Sequence, residues 1–186
     1  QELAEMAEEF YRILPTKHLI LSGTAKNVAQ FKGLLSNGMR SLVAGDFSLK
    51  PNAPPDAIRE RAVEVMQKSA ESDQVEIADE VVARAIRGER AVVGLQRTLT
   101  AVQENRAEHV VAIGSYAQPA YRFVESGLIV LEIEEQGELG SGRIQELPDA
   151  VESIIRRSLA QGIGVTILDE HKALAKAGNV GALVRW

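Results

Sequence analysis

Cysteine is absent from the 186 residues. Without a thiol there is no disulfide, no thiolate nucleophile and no cysteine-ligated zinc. That absence fits a reducing compartment. Aromatic residues are scarce, at 4%, so a core has to be built from Val, Ile, Leu and Ala. No apolar run approaches the roughly 18 residues that would carry a helix across a bilayer. No signal-peptide pattern opens the chain. There is no basic tail either: 21 Lys and Arg face 26 Asp and Glu, a net charge of −5. This balance argues against gripping naked nucleic acid by bulk charge. Neither internal repeats nor low-complexity tracts occur. The first residue is Gln1, not methionine, which leads us to expect a piece of a longer protein.

What is present reads as a globular α/β chain. Hydrophobic residues make up 45% and charged residues 25%, with room for one large or two small domains. Glu2 to Leu14 predicts an amphipathic helix with Leu3, Met6, Ala7, Phe10 and Leu14 inward and its glutamates wet. Pro15 should end it. Lys17 to Leu21 reads as a strand, Ser22-Gly23-Thr24 as a turn, and Lys26 to Leu35 as a helix with Val28, Phe31, Leu34 and Leu35 inward, closed by Asn37-Gly38. Arg40 to Leu49 is a second strand region. After a proline-rich break from Lys50 to Asp56, Pro54 and Pro55 suit a helix first turn.

That helix is expected to run as far as Arg87, carrying two apolar stripes: Ile58, Ala62, Val65, Met66 and Ser69, then Ile77, Val81, Ala85 and Ile86. Between them Glu71 to Gln74 is polar and out of phase, which places a domain boundary there. Gly88 closes the helix. Val92, Leu95, Leu99 and Val102 are spaced for one face of a further helix, Val92 to Gln103. His109 to Ile113 is a β-branched apolar run, a buried strand. Ala120 to Ser126 and Leu128 to Glu134 read as strands around Gly127, and Gln136 to Gly142 as a loop. Pro148 to Ala160 is a helix with Val151, Ile154, Ile155 and Leu159 inward. Val165 to Leu168 is a strand, Asp169 to Ala177 a short helix, and Val180 to Arg185 a strand apolar on both faces. Such a strand belongs inside a sheet, beside Val165 to Leu168 or Val110 to Ile113, with Gly178 and Gly181 allowing close backbone approach.

Three stretches in order carry a resemblance. They are Leu19-Ile20-Leu21-Ser22-Gly23 with Asn27 to Leu35; Arg90 to Leu95 with its helix and the strand Val110 to Ile113; and the ending Gly178 to Trp186. Together they resemble the archaeal and eukaryotic class 1 peptide chain release factors and Pelota. The resemblance implies two α/β domains in series. Residues 1–72 would be a partial central domain and 73–186 a C-terminal domain, a small α-β-α sandwich. It implies a ribosome-associated translation factor acting in termination, rescue or hibernation, cytoplasmic, with the ribosome or ribosomal RNA as partner and a translational GTPase as a second candidate. The family's Gly-Gly-Gln loop is not in this chain, so peptide release is not expected of it. The alternatives are a Rossmann-like nucleotide-binding protein or enzyme, and a small RNA-binding module.

Candidate sites are few. Arg84, Arg87, Arg90 and Arg97 would form a cationic RNA or partner surface, unless Glu80 and Glu89 pair with them. Tyr121 to Leu128 resembles the place where family members carry a cysteine zinc knuckle, with Phe123 and Ser126 at the cysteine positions. Phenyl and hydroxyl groups do not replace thiolates on zinc, so no metal is expected. Ser22 to Asn27 could cradle a phosphate at a helix start or be a hydroxyl-capped turn. Asp169-Glu170-His171 follows a strand and invites an acid–base or metal reading. The plainer alternative is Asp169 as a helix cap, Glu170 in the first turn and His171 half exposed. No catalytic residue, cofactor or metal ligand is assigned.

Overall fold

The computed structural model describes residues 2–14, 16–50, 53–133 and 142–186. Pro15, part of the proline-rich break and most of the loop expected over 136–142 lie outside them. The chain divides into two compact units, Gln1–Ser72 and Asp73–Trp186.

In the first unit α1 (Glu2–Ile13), β1 (Leu19–Ser22), α2 (Ala25–Leu34), α3 (Asn37–Arg40) and β2 (Val43–Phe47) precede α4 (Pro55–Arg87). β1 and β2 pair in parallel, Leu19 opposite Val43 and Ser22 opposite Phe47, so α2 is the crossover that parallel strands require. Asn37-Gly38 does not close α2. The helix stops at Leu34, and Ser36 accepts the Met39 N–H at 3.4 Å to open α3. Arg40 then returns to α2, donating to the carbonyls of Lys32, Gly33 and Leu35 and satisfying the acceptors that a helix end leaves bare. With Arg40 used this way, β2 is shorter than the strand region expected. At Gly45 a Cβ would stand 2.7 Å from Val65 Cγ1, so α4 crosses β2 at close range. The expected inward stripe of α1 is corrected: Leu3, Met6, Phe10 and Leu14 are each more than half exposed and only Ala4 is buried. Glu8, expected to be wet, instead accepts the Ser36 N–H at 3.0 Å. Leu34, also expected inward, is 46% exposed.

α4 begins at Pro55, where a missing N–H costs nothing. Its residues from Asp73 on belong to the second unit. There β3 (Ala91–Val93), α5 (Leu95–Gln103), β4 (Ala107–Ile113), β5 (Ala120–Phe123), β6 (Ile129–Val130), β7 (Ile144–Leu147), α6 (Ala150–Ala160), β8 (Gly164–Leu168), α7 (Lys172–Lys176) and β9 (Val180–Val184) follow. The main sheet has the order β3-β9-β4-β8, with β4 and β8 parallel and β9 antiparallel to both its neighbours.

Alternation along the strands splits the core in two. Val110, Ala112, Val180 and Ala182 pack with Leu95, Leu99 and Val102 of α5 and Val151 and Ile154 of α6. Val111, Ile113, Leu168 and Leu183 pack with Ala78, Val81 and Val82 of α4 and Leu174 of α7. The second unit is therefore an α-β-α sandwich. β9 is an inner strand, every residue buried.

Four expectations change here. Val92 lies in β3, not in the helix, which starts at Leu95 after Gly94 turns the chain at φ 87°. Val92 packs on the same core as Leu95, Leu99 and Val102, which is why its spacing reads as helical. Leu159 of α6 is 62% exposed and Ser158 takes the inward place. Ile86 of α4 is 81% exposed, because Ala78, Val81 and Val82 form the buried face. The hairpin strands around Gly127 are shorter than expected, and they join an unforeseen partner. β6, β5 and β7 form a small antiparallel sheet, and β7 is mostly exposed and polar, so no apolar run announces it.

Candidate functional site

The four arginines divide into pairs. Arg84, in the last turn of α4, meets Glu80 at 2.6 Å, one helical turn back. Arg87 meets Glu89 at 2.8 Å. That hydrogen bond, with the attraction between the charges, raises the Arg87 pKa and lowers that of Glu89. Arg90 precedes β3, where its carbonyl accepts the Val184 N–H, and Arg97 lies on α5; both are exposed. Among the described residues no carboxylate pairs with Arg90 or Arg97. Two of the four charges are thus matched at the surface by the glutamates beside them.

In the hairpin, the two positions that the resemblance gives to cysteine serve packing and the turn. Phe123 is buried, and Ser126 Oγ accepts the Leu128 N–H at 3.3 Å, bracing the turn at Gly127. Among the described residues no group of three or more His, Asp or Glu is placed to hold a metal. The Ser22 to Asn27 turn makes several internal hydrogen bonds. Thr24 Oγ1 accepts the Asn27 N–H at 3.3 Å, Gly23 N–H donates to the Phe47 carbonyl, and Ser48 Oγ donates to that of Gly23.

Asp169-Glu170-His171 resolves differently from expectation. The cap of α7 is His171, not Asp169: its Nδ1 accepts the Leu174 N–H at 3.1 Å, and α7 begins only at Lys172, beyond Glu170. Its Nε2 lies 3.2 Å from Asp79 Oδ1, and the side chain is 8% exposed, not half exposed. A nitrogen that accepts a backbone N–H holds no proton, so the ring proton sits on Nε2, facing Asp79. The imidazole ties α7 to α4. Asp169 and Glu170 are exposed and take no part.

The feature that sequence reading missed lies where the small sheet meets α6. Arg122, Ile129, Gln145, Leu147, Arg156 and Arg157, with Asp149 and Glu152, line an open groove of about 530 Å³. Asp149 is committed as the cap of α6, accepting from Val151 N–H at 2.8 Å and Gln118 N–H at 3.4 Å. Glu152 is committed to Arg156, at 2.6 Å one turn on. Arg157 spends one N–H on the Gln103 carbonyl at 3.4 Å. Arg122 projects from the middle strand of the small sheet, exposed and with no partner among the described residues. No sequence signal links Arg122 to Arg157, because only the tertiary fold brings β5 and α6 to the walls of one groove.

A second arrangement holds this region in place. Gln103, the last residue of α5, donates from Nε2 to the Ile129 carbonyl at 3.0 Å and accepts the Ile129 N–H at 2.7 Å on Oε1. One side-chain amide thereby closes the outer edge of β6.

Residues 1–67 match the model of the bacterial archaeo-eukaryotic release factor family 10. Over its whole length the chain superposes on Archaeoglobus fulgidus Pelota, with a TM-score of 0.54, 19% identity and 52% of that chain covered. S. cerevisiae Dom34, described as a translation termination-like factor, gives 0.54 at 8% identity, again over all of this chain and 53% of its own. Archaeal Pelota from a ribosome-bound complex with ABCE1 gives 0.53 at 17%, over all of this chain and 48% of its own. The chain thus spans about half the length of these structures. No curated protein sequence matches it. Its first 67 residues thus match a release-factor family model, and from end to end the chain shares the fold of Pelota.

Proposed function

We propose that this chain is part of a ribosome-associated translation factor that acts in termination, ribosome rescue or hibernation. The observation that carries the reading is the match of residues 1–67 to a release-factor family within a chain that has the Pelota fold throughout. On this reading the unit up to Ser72 corresponds to a central domain lacking its beginning, and the unit from Asp73 to a C-terminal domain. The neighbours named above include a Pelota bound to the ribosome and a Dom34 that interacts with Hbs1. By analogy the ribosome is the primary partner here and a translational GTPase the second. The chain has no Gly-Gly-Gln tripeptide, so these residues serve docking and not hydrolysis. The paired state of Arg84 and Arg87 makes Arg90 and Arg97 the stronger members of the candidate surface at the start of the second unit.

The test is sedimentation of the purified chain with ribosomes through a sucrose cushion, together with a peptidyl-tRNA release assay. Binding without release above background is the expected result. A chain that stays in the supernatant at low salt overturns the ribosome reading, and release above background overturns the docking role.

A further inference from the structure

We propose that the groove between the small sheet and α6 binds the phosphate backbone of RNA through Arg122 and Arg157, with Arg156 beside them. Three guanidinium groups and two carboxylates line it. Both carboxylates are already engaged, Asp149 by backbone N–H groups and Glu152 by Arg156. Among the described residues, that leaves Arg122 with no carboxylate and Arg157 with a single weak bond to a carbonyl. Two cations that no described carboxylate compensates, facing one open groove, form an anion site whatever the net charge of the chain, and they are the kind of local cluster that an acidic protein needs to meet RNA. The cations are arginines, whose planar fork matches two phosphate oxygens and stays charged at any working pH. Between them Ile129 and Leu147 offer an apolar floor.

An acidic peptide is the competing ligand, and at β6 strand addition is closed to it. Peptides bind sheets by adding a strand to an open edge. Arg122 rises from the central strand, and at β6 the Ile129 N–H and carbonyl are both taken by Gln103. A phosphate backbone needs no strand edge, only cations spaced along a groove.

The choice of RNA rests on the ribosome-associated reading; the anion site itself does not. The test uses the whole chain with Arg122→Glu/Arg157→Glu, and Lys172→Glu/Lys176→Glu, exposed and outside both candidate surfaces, as the comparison. Circular dichroism melting confirms that both fold. Binding of a labelled oligouridylate is followed by fluorescence anisotropy between roughly 50 and 200 mM salt. The groove variant is expected to bind about tenfold more weakly at low salt, with a log–log salt slope shallower by about 1.4 for two lost single-strand phosphate contacts. The comparison variant should bind within about twofold of wild type. Polyglutamate should not displace the RNA.

Equal binding by wild type and groove variant overturns the proposal, as does no RNA binding at all. Displacement by polyglutamate overturns it in favour of an acidic polypeptide. Ribosome sedimentation separates the two readings. A wild-type chain that binds the oligonucleotide through the groove but does not sediment sinks the ribosome reading and leaves the groove standing. A groove variant that sediments like wild type and keeps its oligonucleotide affinity sinks the groove alone.

Discussion

Replacing Gly178 by alanine tests how the second unit is held together. α7 ends in a Schellman motif: the Gly178 N–H donates to the Ala175 carbonyl at 3.3 Å and the Asn179 N–H to that of Leu174 at 2.9 Å. The motif needs a left-handed residue at Gly178, whose φ is 107°. A Cβ there would stand 2.9 Å from the Cα of Gly94, against the roughly 3.5–4.0 Å at which carbons rest. Gly94 is not free to retreat, since its N–H is bound to the Val180 carbonyl at 2.8 Å. Two costs add. Forcing an L-residue into this conformation takes about 1–2 kcal/mol, and wedging a methyl group between two backbones about 1–3 kcal/mol. The stiffening of the unfolded chain that makes some Gly→Ala changes stabilising offers no relief where the native φ is incompatible.

The expected loss is therefore about 2–5 kcal/mol, a large share of a domain's usual 5–15 kcal/mol, and a fall in Tm of roughly 10–20 °C. Far-UV circular dichroism is the suitable probe, because Trp186 is 69% exposed and reports poorly on the core. Gly94→Ala is the control. Its φ is also positive, but the nearest atom to its Cβ is the Ala177 carbonyl oxygen at an ordinary 3.8 Å, so it should lose only the conformational part. A Gly178→Ala chain melting within about 2 °C of wild type would refute the reasoning, as would a Gly94→Ala chain losing as much.

Four further predictions follow from individual contacts. Burial holds the His109 imidazole below its ordinary range, Glu108 pulling weakly the other way. Its folded-state pKa is thus below the unfolded value of about 6.5. Stability is full above that value and declines as pH falls through it, because the unfolded chain then binds more protons; urea midpoints between about pH 7.5 and 5 should decline less in His109→Gln. Gln103→Ala strips both backbone partners from Ile129 and should cost about 1–3 kcal/mol in chemical denaturation; an unchanged midpoint would show that solvent replaces the amide. A chain ending at Ala177 loses β9, the strand between β3 and β4, and should give no cooperative melt, whereas a wild-type melting curve would make that strand peripheral. Purified protein should carry no stoichiometric zinc by elemental analysis, since Phe123 and Ser126 serve packing and the turn.

The elements that sequence made legible are those whose burial is uniform along the chain. Val110 to Ile113 and Val180 to Val184 are covered on both faces, so they read as unbroken aliphatic runs, and the order of motifs pointed to the release factor and Pelota fold. Local periodicity failed where two elements share one core. Val92 and Leu95 face the same cluster across the turn at Gly94, and a helical spacing cannot tell a strand from the helix that follows it. It failed again on α1, whose apolar stripe marks a face but not whether anything described covers it. Capping was legible at Thr24 as a hydroxyl before a helix, but not at His171, whose role depends on Asp79 from a distant helix. Nor could sequence show which charges stay unmatched. Glu80 and Glu89 neutralise Arg84 and Arg87 locally, a matter of helical spacing and proximity that can be foreseen. Arg122 and Arg157 face one groove only because the fold brings β5 and α6 to its walls. The sequence by itself determined which strands are covered on both faces and in what order the elements occur, because apolar patterning is a property of each segment. Which polar groups meet, and which are left open, was decided only by the tertiary structure, because hydrogen bonds and ion pairs act over a few ångströms between residues far apart in the chain.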